Sequence, residues 1–434
     1  MEFNRRRKIV ALKQKAAHTL SFNPFVFSRM FWLWILLGAL GGITAGVYWL
    51  VLEEMIHVLA KVQGIWIIPL MTFAGLLAGI VIKKLGDPGE IDLIVDNIRF
   101  KGGQLNAKNN PSMIMSSLLC ISSGGSLGPE APLVQVSGSI GTWVARKFKM
   151  KGEDMRSLTI AGMAAAFTAL FGSPLGGSLF AIEILHHKHV SQYYQAMIPA
   201  IVASCASFVV FLLITGTHIG PTWNFPPYVE TNLSDLMYAV GYAMIATAAG
   251  WLFIYMVKQF KSVFKSFPVP IYVKLAIGGL ILGIIGYQLP ITRYFGHDEI
   301  TELLVSDLSL TMLFAIFLGK LLAISITMTS GWRGGFIIPL FFVGTTLGLI
   351  LHRFFPDQNI ALMMVCCIAA INACVTRTPI SVIVLLATMT GFHYFVPIMF
   401  ASLTGFFLAP KTPLINSQFG EAHATPLKTA AVQD

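Results

Sequence analysis

Long uninterrupted apolar runs dominate the chain, and their length decides its class. Residues 31–52, 156–185, 197–215, 237–257, 310–328 and 335–352 are such runs. A helix needs about 20 apolar residues to cross a hydrocarbon core of about 30 Å, and these runs meet that need. Runs 66–83, 113–125, 272–288 and 360–375 are shorter or interrupted by Gly, Ser and Pro. Backbone in lipid must satisfy its own hydrogen bonds, so the pattern predicts an all-α polytopic membrane protein with tilted and broken helices.

Composition agrees. Of 434 residues, 55% are hydrophobic and 12% charged, too little charge to cover the surface of a soluble protein. The net charge of +10 comes partly from Arg5, Arg6, Arg7, Lys8, Lys13 and Lys15. No apolar core follows that tail until near Met30, so no cleavable signal peptide is expected. The positive-inside rule predicts a cytoplasmic N-terminus, in a bacterial inner (plasma) membrane. Basic residues flanking spans are ordinary, and no nucleic-acid partner is expected. Cys120, Cys205, Cys366, Cys367 and Cys374 lie in apolar runs without a CxxC pair and read as packing residues.

The chain also repeats itself. Residues 123–141 (SGGSLGPEAPLVQVSGSIG) and 330–348 (SGWRGGFIIPLFFVGTTLG) share S-G-x3-G-x3-P-L-x7-G at an offset of 207. A small-residue helix that breaks at Pro174 has a counterpart breaking at Pro379, an offset of 205. Two matches at nearly one offset predict two related halves. The expected divisions are a basic cytoplasmic segment 1–29, a first membrane repeat 30–215, a connecting segment 216–234, a second repeat 235–415 and a tail 416–434. Spacing alone leaves open whether the halves are parallel or inverted. Paired Gly/Pro-interrupted segments in a duplicated membrane protein point to the substrate site.

In each half a glycine cluster precedes a Pro and then an apolar helix, the order of a helix N-terminus. A helix starting within the membrane turns free N–H groups and its positive dipole end inward, which favours anions. Glu130 sits in the first such segment, the one carboxylate of the run 126–143. An intramembrane carboxylate is costly and reads as functional, here a tethered anion that competes for the helix-start site. Its plainer reading is a first-turn Glu stabilising its own helix.

Gly128-Pro129-Glu130-Ala131-Pro132 resembles the G-[KR]-E-G-P signature of the CLC chloride channel and proton–chloride antiporter family. Gly334-Gly335-Phe336-Ile337-Ile338-Pro339 is similar to its G-x-F-x-P region, and the segment from Phe171 through Pro174 to Glu183 to its AP-[LI]-G-G-x-L-F-x-x-E helix. Thr376-Arg377-Thr378-Pro379-Ile380 resembles the second-half counterpart. The resemblance implies a homodimer of inverted repeats with one anion pathway per subunit; the short stretch after Pro413 leads to the expectation of no cytoplasmic regulatory domain. The resemblance also implies that Glu130 is the gating glutamate, and that the anion is held by Gly86, Gly128, Pro129, Gly335, Phe336, Ile337 and Ile338. No enzyme activity, cofactor or metal follows from it.

The chain departs from the family in three places. The intracellular proton-relaying glutamate falls on Ile184, beside Glu183. Glu183 is then either an alternative proton route or a carboxylate paired with His186, His187 or Lys188. Gly86 replaces the family's anion-coordinating Ser, which loosens the expectation of chloride and admits another anion such as fluoride. Asp87, Pro88 and Glu90 read as a helix cap, first residue and capping box. Ile415 stands where many relatives have a Tyr. Elsewhere, Arg333, Arg146 and Lys147 read either as anion-attracting or as interfacial side chains, and 296–299 as an exposed loop. The expected activity is transport of small anions, chloride first, as a channel or proton-coupled exchanger. The alternatives are a duplicated secondary transporter for another solute and, less favoured, an intramembrane metalloenzyme using His186, His187 and His189, because a single His cluster is a poor metal site.

Overall fold

The computed structural model describes residues 28–418 except 90, 101, 186–189, 218, 227 and 229–231. Sixteen α-helices lie among the described residues, in two sets of eight. The first set is α1 (Arg29–Leu59), α2 (Ile67–Leu85), α3 (Ile91–Phe100), α4 (Asn110–Ser122), α5 (Glu130–Lys147), α6 (Gly152–Phe171), α7 (Pro174–Glu183) and α8 (Val190–Thr215). The second is α9 (Leu233–Ser266), α10 (Ile271–Gln288), α11 (His297–Val305), α12 (Leu310–Ser330), α13 (Ile337–Phe354), α14 (Ile360–Thr376), α15 (Pro379–Thr390) and α16 (Phe395–Phe407). Seven of the described helices or helical stretches are long and apolar enough to cross a membrane. The chain is an all-helical, multi-pass integral membrane protein.

Equivalent helices make equivalent contacts. α1 packs on α8 as α9 packs on α16, α5 on α6 as α13 on α14, and α6 on α8 as α14 on α16. The orientation of the halves is settled where α2 meets α10. An added Cβ on Gly75 would fall 2.3 Å from the Leu275 carbonyl oxygen, and one on Gly279 would fall 2.2 Å from that of Met71. Residues 75 and 279, like 71 and 275, differ by 204, so a local two-fold axis relates the pair. Gly79 touches Tyr272 and Gly283 touches Ile68: as one helix advances, its partner recedes. Two spanning helices that are equivalent and antiparallel make the repeat inverted. Glycine is what lets the two backbones come this close.

α6 and α14 form the centre. Every residue of α14 from Ala361 to Thr376 is buried, and nearly all of α6 is too. A helix apolar on all sides has no face for water and belongs inside a bundle. Each stops at a left-handed residue, Gly172 and Arg377, where the chain turns into α7 and α15.

Cations collect at one end of the bundle. Arg29 at the start of α1 stacks on Phe148 after α5, and Lys83 at the end of α2 stacks on Tyr272 at the start of α10. Arg146, Lys147 and Lys258 join this basic face. Glu53 and Glu54 in the last turns of α1, Asp235 in the first turn of α9 and Asp307 in the loop between α11 and α12 belong to the other face.

Two local expectations are corrected. The chain at 86–89 is not helical, and α3 starts at Ile91 rather than Pro88, because Gly89 takes a positive φ of 79° that a helix cannot continue through. Glu90 lies outside the described residues. Nor is 296–299 a loop: His297 begins α11, and Trp49, Trp223 and Phe295 pack around its ring. Trp223, in the connecting segment, is fully buried, donates from Nε1 to the His297 carbonyl at 2.9 Å and packs on Phe341 of α13. Trp223 thereby anchors the connecting segment to the second half.

Candidate functional site

The two glycine clusters meet inside the bundle. The Gly128 N–H donates to the Gly335 carbonyl at 2.8 Å, and the Gly335 N–H returns to Gly128 at 2.6 Å, a single antiparallel bridge between the halves. α5 begins two residues after the first glycine and α13 two residues after the second. Their N-terminal ends, with their unpaired N–H groups and positive dipole ends, therefore converge.

Glu130 fills the point of convergence. Its side chain is buried, and Oε1 accepts the Ile338 N–H of α13 at 2.9 Å, while Oε2 has no partner. A Cβ on Gly128 would fall 2.1 Å from Oε2, and one on Gly335 2.3 Å from it. The carboxylate is thus held in a cradle whose walls must be glycine. A carboxylate oxygen on a backbone N–H at a helix start stands where a free anion would bind. Gly128, Pro129, Gly335, Phe336, Ile337 and Ile338 are all brought to this cradle. Phe336 caps α13 and packs on Phe253 of α9.

Gly86 is placed differently. It ends α2 and faces the side chain of Asn109, and it reaches the site only through its neighbour. Asp87 Oδ1 accepts from the Gly89 N–H at 2.9 Å and from Arg333 at 2.8 Å. Arg333 also donates to the Gly89 carbonyl at 3.3 Å. The loop after α2 is thereby pinned to the glycine segment of the second half. The counterpart is a residue that the sequence reading passed over. Lys320, fully buried in α12, donates to the carbonyls of Thr292, Arg293 and Tyr294 at 3.1, 3.3 and 2.9 Å. Tyr294 in turn donates from its N–H to Gly124 at 3.2 Å, pinning the loop after α10 to the first half's glycine segment. A charge within the apolar run 310–328 was the signal available to find it.

Glu183 ends α7 and reaches across to the other half. Oε1 accepts from the Ile380 N–H at 3.1 Å, and Oε2 accepts from the Ser381 N–H at 2.7 Å and from the Ser381 hydroxyl. These are the first free donors of α15, whose own N-cap residue Thr378 makes no side-chain cap bond. The equivalent α7 is capped by its own Ser173. Glu183 is therefore an N-cap supplied by the opposite repeat, and Ile184 beside it is buried. His186, His187, Lys188 and His189, the partners and metal cluster considered for this region, lie outside the described residues.

Arg146 binds Gln104 at 2.6 Å and Lys147 lies over Trp143, both at the basic face. Ile415 is buried, and the chain after it is held by Ser417 on the Asp92 carbonyl and by Gln418 on the carbonyls of Ile184 and Thr376.

With this geometry in hand, similarity to known proteins is decisive. A family model described as voltage gated chloride channel matches residues 74–410. The chain belongs to the CLC family. It is therefore a CLC-type anion transport protein of the membrane and not an enzyme. The protein MJ0305 of Methanocaldococcus jannaschii is 27% identical over 375 residues, covering 86% of this chain and 92% of that one. The Escherichia coli protein YfeO is 29% identical over 324 residues, 74% of this chain and 75% of its own. Among solved structures, a CLC-type fluoride/proton antiporter superposes with a TM-score of 0.80 at 21% identity, covering 92% of this chain and 99% of that one. A slow cyanobacterial Cl-/H+ antiporter gives 0.79 at 20%, covering 91% and 97%. Both establish the CLC fold.

Proposed function

We propose that this CLC protein carries chloride across the bacterial inner membrane, gated by Glu130, without stoichiometric proton exchange. The observation that carries the reading is the Glu130 carboxylate seated on the Ile338 N–H between two helix starts. A site built from N–H dipoles and no fixed cation holds an anion firmly enough to bind and loosely enough to release it. An ionised Glu130 occupies that site, and protonation weakens its hold.

Support for uncoupled flux comes from the inner end. Ile184 cannot take a proton, and both oxygens of the adjacent Glu183 are engaged in capping α15. The basic face is assigned to the cytoplasm by the positive-inside rule. Assembly as a homodimer with one pathway per subunit follows the family's pattern.

The test is efflux from liposomes containing the purified protein, with external pH recorded. Chloride efflux with a flat pH trace is the expected result, and proton uptake in fixed ratio to chloride would overturn the uncoupled mechanism. Gly86 favours a second reading, because a site lacking the family's Ser hydroxyl need not prefer chloride. Fluoride efflux in the absence of chloride efflux would establish it.

A further inference from the structure

A cavity of about 150 Å³ lies beside the connecting segment, on the face opposite the cations and apart from the Glu130 cradle. Trp49 of α1 and Phe208, Phe211 and Leu212 of α8 wall it, and His297 at the start of α11 lines it too. Thr217, Gly220 and Pro221 of the connecting segment, all exposed, form its mouth. Aromatic rings fix the position of the imidazole. The His297 ring lies 5.9 Å from Trp49, 5.8 Å from Trp223 and 6.1 Å from Phe295, centroid to centroid. Trp49 also meets the Phe211 ring edge-on at 6.4 Å. A neutral imidazole carries one N–H donor and one acceptor. The His297 backbone carbonyl takes the Trp223 bond, yet neither ring nitrogen bonds to another described residue. Protein interiors ordinarily fill their voids and pair their polar groups. This cavity does neither, and it joins apolar walls to one orienting polar group, the make-up of a small-molecule site.

Size and charge select the ligand. A cavity of about 150 Å³ accepts a benzene-sized molecule. Burial pushes the His297 imidazole toward its neutral form, against the pull of the Asp298 and Glu53 carboxylates. Those carboxylates repel an anion at the ring, and the lining holds no lysine or arginine to offset them. We propose that this cavity binds a small neutral aromatic alcohol of the phenol class, its ring against Trp49 and Phe211 and its hydroxyl on His297. The site is separate from the anion pathway, and its occupancy does not depend on which anion the protein carries.

The probe is para-fluorophenol, followed by fluorine NMR with the full-length protein in detergent micelles and protein-free micelles as the blank. Saturable binding to the wild type is expected, at about 0.1–1 mM for so small a ligand. Leu212→Trp fills the cavity and abolishes it. Thr217→Trp blocks the mouth from an exposed position, and it decides the matter should Leu212→Trp not fold. His297→Phe keeps a ring in the wall but removes the polar partner. It weakens para-fluorophenol about fivefold, the worth of one hydrogen bond, and leaves para-fluorotoluene unchanged. In the wild type para-fluorobenzoate binds more weakly than the phenol. Uptake that is equal in the wild type and the folded tryptophan variants is partition into the micelle and would overturn the site. Tighter binding of the benzoate, or equal losses of phenol and toluene in His297→Phe, would overturn the ligand class and the role of the imidazole.

Discussion

At the residue scale, the cradle around Glu130 makes sharp predictions because so few atoms form it. In Glu130→Gln the amide has no charge to hold it at the helix starts, so chloride flux persists or rises and loses its pH dependence. The sign in the wild type follows: acid neutralises the gate, so flux rises as pH falls. Unaltered pH dependence in a Glu130→Gln protein that still conducts would remove the residue from gating. Gly335→Ala acts on the same atom by another route, since the nearest atoms to its new Cβ would be Oε2, Cδ and Cβ of Glu130. A flexible side chain yields, so the carboxylate is pushed from its seat. The pH profile flattens, and the melting temperature falls, because the Glu130 Cβ at 2.8 Å is fixed to its backbone and cannot move away with the carboxylate. Glu183→Ala keeps the gate intact. Removing it leaves the Ile380 and Ser381 N–H groups of α15 without their cap, a loss of about 1–3 kcal/mol. It is read as a lower melting temperature, with the pH dependence of flux retained.

At the scale of elements, the same glycine-to-alanine change has a different outcome when backbone lies opposite. Gly75→Ala and Gly279→Ala each drive a Cβ into a carbonyl oxygen of the antiparallel partner helix. Backbone cannot step aside as a carboxylate can, and overpacking of this kind costs about 1–3 kcal/mol. Both variants should melt earlier and by similar amounts, because the two-fold axis makes their surroundings alike. A large difference between them would mean that the α2 and α10 contact is not symmetric in the membrane. The broken helices were legible from residue type: glycine clusters followed by Pro marked the starts of α5 and α13, and Pro174 and Pro379 marked those of α7 and α15. The start of α3 was not, because Asp87-Pro88 is a good cap on paper and Gly89 overrides it with its backbone conformation.

At the scale of the whole molecule, inversion lets two similar half-sites face one another across the membrane interior. Charge then breaks the symmetry, because cations collect at one end of the bundle. The proposed cytoplasmic placement of the basic face predicts that Asp307→Cys reacts with an impermeant maleimide on intact cells, and that Lys151→Cys, in the turn between α5 and α6 at the basic face, reacts only after permeabilisation. The reverse pattern would invert the orientation. The two loops that pin the halves together are held by different kinds of partner. Lys320 is buried with three carbonyls around it, whereas Arg333 is bound to a carboxylate in water.

The amino-acid sequence by itself determined that the chain spans a membrane, that it is duplicated, and that Glu130 lies at a helix start between glycines. Those properties are local: apolar length, a repeated spacing, and a charge where lipid forbids one. Tertiary structure alone decided the rest. Only it shows that the halves are antiparallel, that Glu130 of one half reaches the Ile338 N–H of the other, and that Glu183 caps a helix nearly two hundred residues away. Only it pairs Asp87 with Arg333, 246 residues apart. The reason is physical. A buried charge or an open helix end takes whichever partner the packing of the two halves brings within reach, and no spacing along one chain names that partner.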